Sequence, residues 1–251
     1  MSKIQKILKR KKKGEKNRMW AIIKKEVKTY FLSPIGYVFI GIFLLAFSIS
    51  FNLELRYSSG IIDFQKIFVY IFTYLPTILV FAFLIPMLTM RSFSEERKNG
   101  TEQLLLTSPI SITKIVIAKF ISALIIVLIA LLFTGIFIGI TCFFGTPDIP
   151  AALVTLLGFI LLCMAYVAFG IFASSLTENQ IIAAMISIVT FVITWVLPEF
   201  ISSGSNFSLI NMFYKFTTGQ IDIAYTITYL AFTVLCLILT ITVMQRRKSA
   251  R

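Results

Sequence analysis

The sequence predicts an all-α integral membrane protein, with six transmembrane helices preceded by an interfacial amphipathic helix. The first observation is composition. The 251 residues are 58% hydrophobic and only 14% charged, with a mean hydropathy of +0.91. A soluble domain is about 45–50% apolar and about 25% charged. The second is periodicity of another kind: apolar runs recur that are long enough to cross a hydrocarbon core of about 30 Å, which takes about 20 residues. The third is that charge is concentrated between the runs. Too little charge remains to cover a water-facing surface, which excludes a soluble domain, and such a composition excludes a disordered chain as well.

The elements follow in order. Residues 1–18 form a Lys-rich arm, and residues 1–30 hold 12 of the 24 basic residues beside only Glu15 and Glu26. An apolar run follows directly, so the arm is expected to stay in the cytoplasm against anionic lipid and not to bind nucleic acid. It is not expected to be a cleavable signal: the polar lead is long, the first apolar run exceeds an h-region, and no small-x-small site follows. Over residues 19–33, Trp20, Ile23, Val27 and Tyr30 share one helical face, while Lys24, Lys25 and Lys28 lie mostly on the other. This reads as a helix in the inner interface, ended where Ser33-Pro34 turns the chain inward. The six spans are read over residues 34–53, 67–90, 115–144, 151–175, 181–200 and 223–244, leaving a short tail at 248–251.

Lys119 and Glu199 are charges at span edges and are expected at the interface. Pro76 and Pro86 both fall in the second span, where each removes a backbone bond, so a kink is expected. With the N-terminus inside, the inside segments carry 21 basic residues and the outside loops 3. That bias puts both termini in the cytoplasm of a multi-pass protein of the cell membrane.

Several chemistries are excluded. There is no histidine, so triads built on His and His-ligated zinc are absent. Cys142, Cys163 and Cys236 each sit in an apolar run without paired spacing and read as small buried hydrophobes. No ionisable residue lies at mid-span, which argues against a proton-coupled carrier. No Gly-rich phosphate loop occurs. Any work done with ATP therefore needs another chain, and no catalytic, cofactor-binding or metal-binding residue is assigned in this one.

Most of the specific signal lies between the second and third spans, over residues 91–119. Gly100 can take a left-handed conformation that ends one helix, and Thr101 can cap the next, with Glu102 in its first turn. Leu104, Leu105 and Leu106 then make a short apolar helix, which Ser108-Pro109 stops, and Ser111 can cap the third span. A short helix with an apolar knob between two membrane helices suits a groove on a soluble partner. Composition alone equally allows a solvated hairpin with ordinary caps.

The string from Phe93 through Ser94, Glu95, Glu96, Arg97, Gly100, Thr101 and Leu104–Leu106 to Ser108 and Pro109 resembles the signature of ABC-2-type permeases. The link Ser174-Ser175-Leu176-Thr177-Glu178-Asn179-Gln180 resembles the same family's turn; read as residues, it is a helix cap made by Thr177. Phe207, Ile210, Phe213, Tyr214 and Phe216, then Gly219 to Asp222, look like short helices dipping into the outer leaflet. The combination looks most similar to the gliding-motility-associated branch, and the start, from Lys25 to Pro34, fits that branch too. The resemblance covers about residues 20–247 and leaves the basic arm outside.

The resemblance implies a permease domain over 34–247 and an exporter built from two permease halves, identical or similar. A separate ATP-binding subunit would hold the nucleotide. Contacts to it would come from Arg91, Phe93, Glu95, Glu96, Arg97, Gly100, Thr101, Leu104, Leu105, Ser108 and Pro109, and from Thr177, Glu178 and Asn179. A membrane scaffold, a motility-associated anchor or a passive channel on the same fold is the alternative.

Overall fold

The computed structural model describes residues 19–57, 62–107, 110–144, 148–200 and 208–249. The basic arm 1–18, Ser108, Pro109 and Phe207 lie outside them. Every regular element among the described residues is a helix. A first helix, α1, covers residues 19–32. It is followed by α2 (Pro34–Tyr57), α3 (Phe64–Thr73), α4 (Leu75–Thr89), α5 (Arg91–Lys98), α6 (Glu102–Thr107) and α7 (Ile112–Phe144). Then come α8 (Ile149–Leu176), α9 (Gln180–Phe200), α10 (Leu209–Thr217) and α11 (Ile223–Ser249).

Four of these, α2, α7, α8 and α11, are long and apolar enough to cross a membrane. At 1.5 Å per residue the 33 residues of α7 reach about 50 Å, well beyond the core thickness. The span expected over 67–90 is not one kinked helix. It is α3 and α4, bent 83° at Tyr74, and would make a fifth crossing if the pair counts as one. Pro76 explains the break. It stands in the first turn of α4, where its missing N–H costs nothing, and it cannot continue α3. The Thr77 hydroxyl lies 2.8–3.0 Å from the Tyr70, Ile71 and Tyr74 carbonyls across the break, and backbone N–H groups also reach two of them, Tyr74 N to Tyr70 and Thr77 N and Ile78 N to Tyr74. Pro86 lies inside α4. The fifth expected span is α9, whose apolar stretch, Gln180–Val196, is shorter than the other four. Glu199 falls in the last turn of α9, and its side chain is outside the described ones.

Helix α8 is the centre of the bundle, packed against α3, α4, α5, α7, α9, α10 and α11. Gly170 lets α4 approach closely, since a Cβ there would fall 2.1 Å from Thr89 Oγ1. At one end of the bundle, phenylalanines fill the core. Phe159 of α8 has the rings of Phe68, Phe81, Phe43, Phe213 and Phe72 at 5.0–6.2 Å. These join α2, α3, α4 and α10, in the edge and tilted geometries that ring quadrupoles favour. Helix α10 packs there through Ile210, Phe213 and Phe216, all buried. Hydroxyls tie its irregular ends. Tyr229 of α11 donates to the Leu209 carbonyl, Ser208 to Thr194, and Thr155 to Phe216. Acids start the neighbouring helices: Asp148 accepts from Ala151 N and Asp222 from Ala224 N. Cys163 and Cys236 are buried, but Cys142 is exposed on α7, which corrects the expectation that all three are buried.

Candidate functional site

The other end of the bundle is polar, and it gathers the segments singled out in the sequence. It begins where α4 passes through Met90 into α5. The first N–H groups of a helix have no partner of their own. Here Ser174 of α8 supplies one: its hydroxyl accepts from Phe93 N at 3.0 Å and Ser94 N at 3.1 Å, and donates to the Met90 carbonyl at 2.9 Å. The start of α5 is thus capped by another helix. Ser174 stands one turn beyond Gly170, on the face that α4 approaches.

Two charged clusters extend from this point. In the first, Lys119 is 2% exposed. Its ammonium donates to the Ser92 carbonyl at 2.6 Å and pairs with Glu96 at 2.9 Å and Glu26 at 3.3 Å. It also lies 5.1 Å from the centre of the Phe93 ring. Lys119 is therefore not at an open interface, as a span-edge charge is expected to be. It is enclosed by protein, because a buried ammonium needs acceptors and three groups supply them. The cluster fastens α7 to α5 and α1. Tyr30 adds a second tie from α1, donating to the Leu88 carbonyl at 3.0 Å, and burial pushes its phenol well above the ordinary range.

In the second cluster, Arg97 Nε lies 2.8 Å from Glu178 Oε1 and 4.0 Å from Glu102 Oε2. Arg247, on the last turns of α11, meets Glu102 Oε1 at 3.4 Å. Both guanidiniums also donate to the Leu176 carbonyl, at 3.4 and 3.5 Å. That carbonyl is at the negative end of α8, where cations are favourable. Glu102 is 4% exposed. One acid in the first turn of α6 thus connects α5 and α11, whose arginines both reach the end of α8.

The expected site residues divide as follows. Glu96, Arg97, Phe93 and Glu178 are drawn into the two clusters. Arg91 and Glu95 face a different side, toward α1. Gly100 has φ +71°, the left-handed conformation expected of it. Thr101 differs from expectation: its hydroxyl donates back to the Glu96 carbonyl at 3.2 Å, closing α5. Leu104 is 74% exposed at the surface of α6. Leu105 lies in the same helix, and its side chain is outside the described ones. At the other link, Thr177 does not cap α9. Its oxygen accepts from Asn179 N, and Asn179 Oδ1 accepts from Ile181 N, so Asn179 is the cap. Ser111 offers its carbonyl to Lys114 N and Ile115 N as α7 begins. On α1, Ile23 and Tyr30 are buried against the bundle, while Trp20 is 64% exposed.

Sequence reasoning missed Glu26, Ser174 and Arg247 as site residues. Arg247 carried a signal, a basic residue ending a span, but was weighed only for orientation. Among the described residues no group of three or more His, Cys, Asp and Glu could hold a metal ion.

These features are those of a membrane protein with a built polar face at one end. A family model described as "ABC-2 family transporter protein" matches residues 20–250. No curated protein matches the chain. The match takes in all of the described helices but the first residue of α1. The chain therefore belongs to the ABC-2 transporter family and is a multi-pass membrane protein.

Proposed function

We propose that this chain is the permease subunit of an ATP-driven exporter, and that residues 91–109 with 177–179 form its coupling face. Family membership implies an ATP-binding partner subunit, and on this reading that partner holds the nucleotide while this chain supplies contacts and no catalytic group. The carrying observation is the convergence of both segments in one ion cluster, Arg97 with Glu178 and Glu102, while Leu104 stands free beside it. A partner pressing on α6 would move α5 with it. Ser174 would pass the load to α8, Lys119 to α7 and α1, and Arg247 to α11.

The same geometry favours six crossings with both termini in the cytoplasm. The end of α4, the start of α7, the end of α8 and the end of α11 all meet in the two clusters. Helices leaving and returning to one face alternate, which requires α3 with α4, and α9, each to count as a crossing. Helix α1 then lies in the inner interface, with exposed Lys24, Lys25 and Lys28 and the basic arm 1–18 near anionic lipid. A second permease half completes the path, and by linkage cargo held there would bias ATP binding. The combined resemblance, residues 25–34 included, is the basis for placing the chain in the gliding-motility-associated branch.

The test is a mild-detergent pull-down of the tagged chain, followed by an ATPase assay on what accompanies it. The expected result is a stoichiometric ATP-binding partner whose hydrolysis changes when Gly100 and Thr101 are mutated. A chain that brings down no such partner would be a scaffold, anchor or channel instead.

A further inference from the structure

Between α1 and α5 lies a cavity of about 140 Å³, lined by Glu26, Thr29, Ser33, Arg91, Ser92 and Glu95 among others. Its polar inventory is unbalanced in a definite way. Arg91 Nε is fully buried, and no acceptor meets it. Glu95 is one helical turn further along α5, on the same side. Among the described residues neither side chain forms an ion pair, with the other or with a third group. Thr29 and Ser33 have their hydroxyl protons committed to the Lys25 and Tyr30 carbonyls, so both offer only lone pairs. Glu26 shares the Lys119 ammonium with Glu96, so those two carboxylates keep one net negative charge between them beside the cavity. One guanidinium and one carboxylate that line the cavity are thus left for a single occupant to meet.

We infer that this cavity binds the phosphoethanolamine headgroup of a membrane lipid. The phosphate would accept from Arg91, and the primary ammonium would donate to Glu95 and to the Thr29 and Ser33 oxygens. A plain anion would face the Glu95 carboxylate, and a plain cation would face the Arg91 guanidinium charge. The volume suits a small group, since it equals about four or five waters at about 30 Å³ each. The position also suits a lipid. The cavity borders the Ser33-Pro34 turn, where the chain enters its first apolar helix, and Ile35 lines it. The source rests on the proposed placement of α1 in the membrane interface; the charge complement does not. Such a lipid would tie α5 to the inner leaflet.

The experiment uses the full chain in mild detergent, titrated with phosphatidylethanolamine, phosphatidylglycerol or phosphatidylcholine, with bound lipid counted by native mass spectrometry. One phosphatidylethanolamine per chain should bind about tenfold more tightly than the others, the size of one charge-assisted hydrogen bond. Mono-, di- and trimethylated phosphatidylethanolamine should bind progressively more weakly as N–H groups are lost. This series needs no mutation. Glu95→Gln should erase the preference, and Arg91→Gln should weaken phosphatidylethanolamine and phosphatidylcholine alike. Phosphatidylglycerol bound as tightly as phosphatidylethanolamine would overturn the proposal, leaving only general attraction to Lys24, Lys25 and Lys28. Equal binding across the methylated series would overturn it too. Displacement by an equal concentration of soluble glycerophosphoethanolamine would overturn the membrane source. A wild-type chain that shows no lipid preference yet brings down an ATP-binding partner would refute this site and spare the permease reading.

Discussion

The two ends of the bundle are held together by different physics. At one end Phe159, Phe68, Phe72, Phe81 and Phe213 pack ring against ring, and hydroxyls serve only to satisfy stray carbonyls. At the other, Lys119, Arg97 and Arg247 reach acids on helices far apart in the chain. In a membrane, packing among apolar side chains competes with lipid that is equally apolar, so it is adaptable and weakly directional. A buried ion pair is directional and intolerant of partial loss. The difference teaches where a load can be passed between helices without slipping. The polar end is built to move as a unit, and the aromatic end to give.

The largest expected effect comes from Lys119→Met. It removes a buried cation and leaves the part-buried Glu26 and Glu96 carboxylates unpaired, which costs about 3 kcal/mol or more. Thermal unfolding in detergent should show it, and adding Glu26→Gln with Glu96→Gln should recover most of the loss. Next is Phe159→Ala at the aromatic end. A soluble core would lose about 3–5 kcal/mol, but lipid solvates the lost ring well, so about 2–3 kcal/mol is expected here. The same melting measurement separates the two ends, because neutralising Glu26 and Glu96 should rescue the Lys119 variant and leave the Phe159 variant unimproved.

Arg247→Ala is smaller. Its guanidinium is part-exposed, so about 1 kcal/mol is expected at low ionic strength and less as salt rises. Leu104→Asp should be nearly silent in stability, within about 0.5 kcal/mol, as changes at exposed positions usually are. It should nevertheless abolish co-purification with the ATP-binding partner. Retained binding would detach the exposed knob from the coupling role.

How much of this was legible in the sequence depends on the range of the interaction. Helices α2, α7, α8 and α11 were legible because long charge-free runs are a one-dimensional signal. The left-handed Gly100 was legible because its cause is local. The break at Tyr74 was legible only as a kink at Pro76; its 83° size was not, since residues on both sides are apolar and hydropathy sums across a bend. Thr101 and Thr177 were expected as caps from spacing alone. Each hydroxyl instead took a nearer backbone partner, the Glu96 carbonyl and the Asn179 N–H. Lys119 stood out as a charge at a span edge, yet its partner Glu26 lies 93 residues earlier. Ser174 capping α5 is a contact across 80 and 81 residues. No pattern within one window reveals such pairs.

The central claim is that the polar end transmits and the aromatic end does not. The most direct measurement is ATP hydrolysis by the reconstituted complex, with two variants of this chain compared against wild type. Phe159→Leu should lower the melting temperature yet leave stimulation of the partner's ATPase intact. Arg97→Gln with Glu102→Gln should lower stimulation by about tenfold while the partner stays bound. Stimulation that falls in both variants in proportion to lost stability would contradict the account.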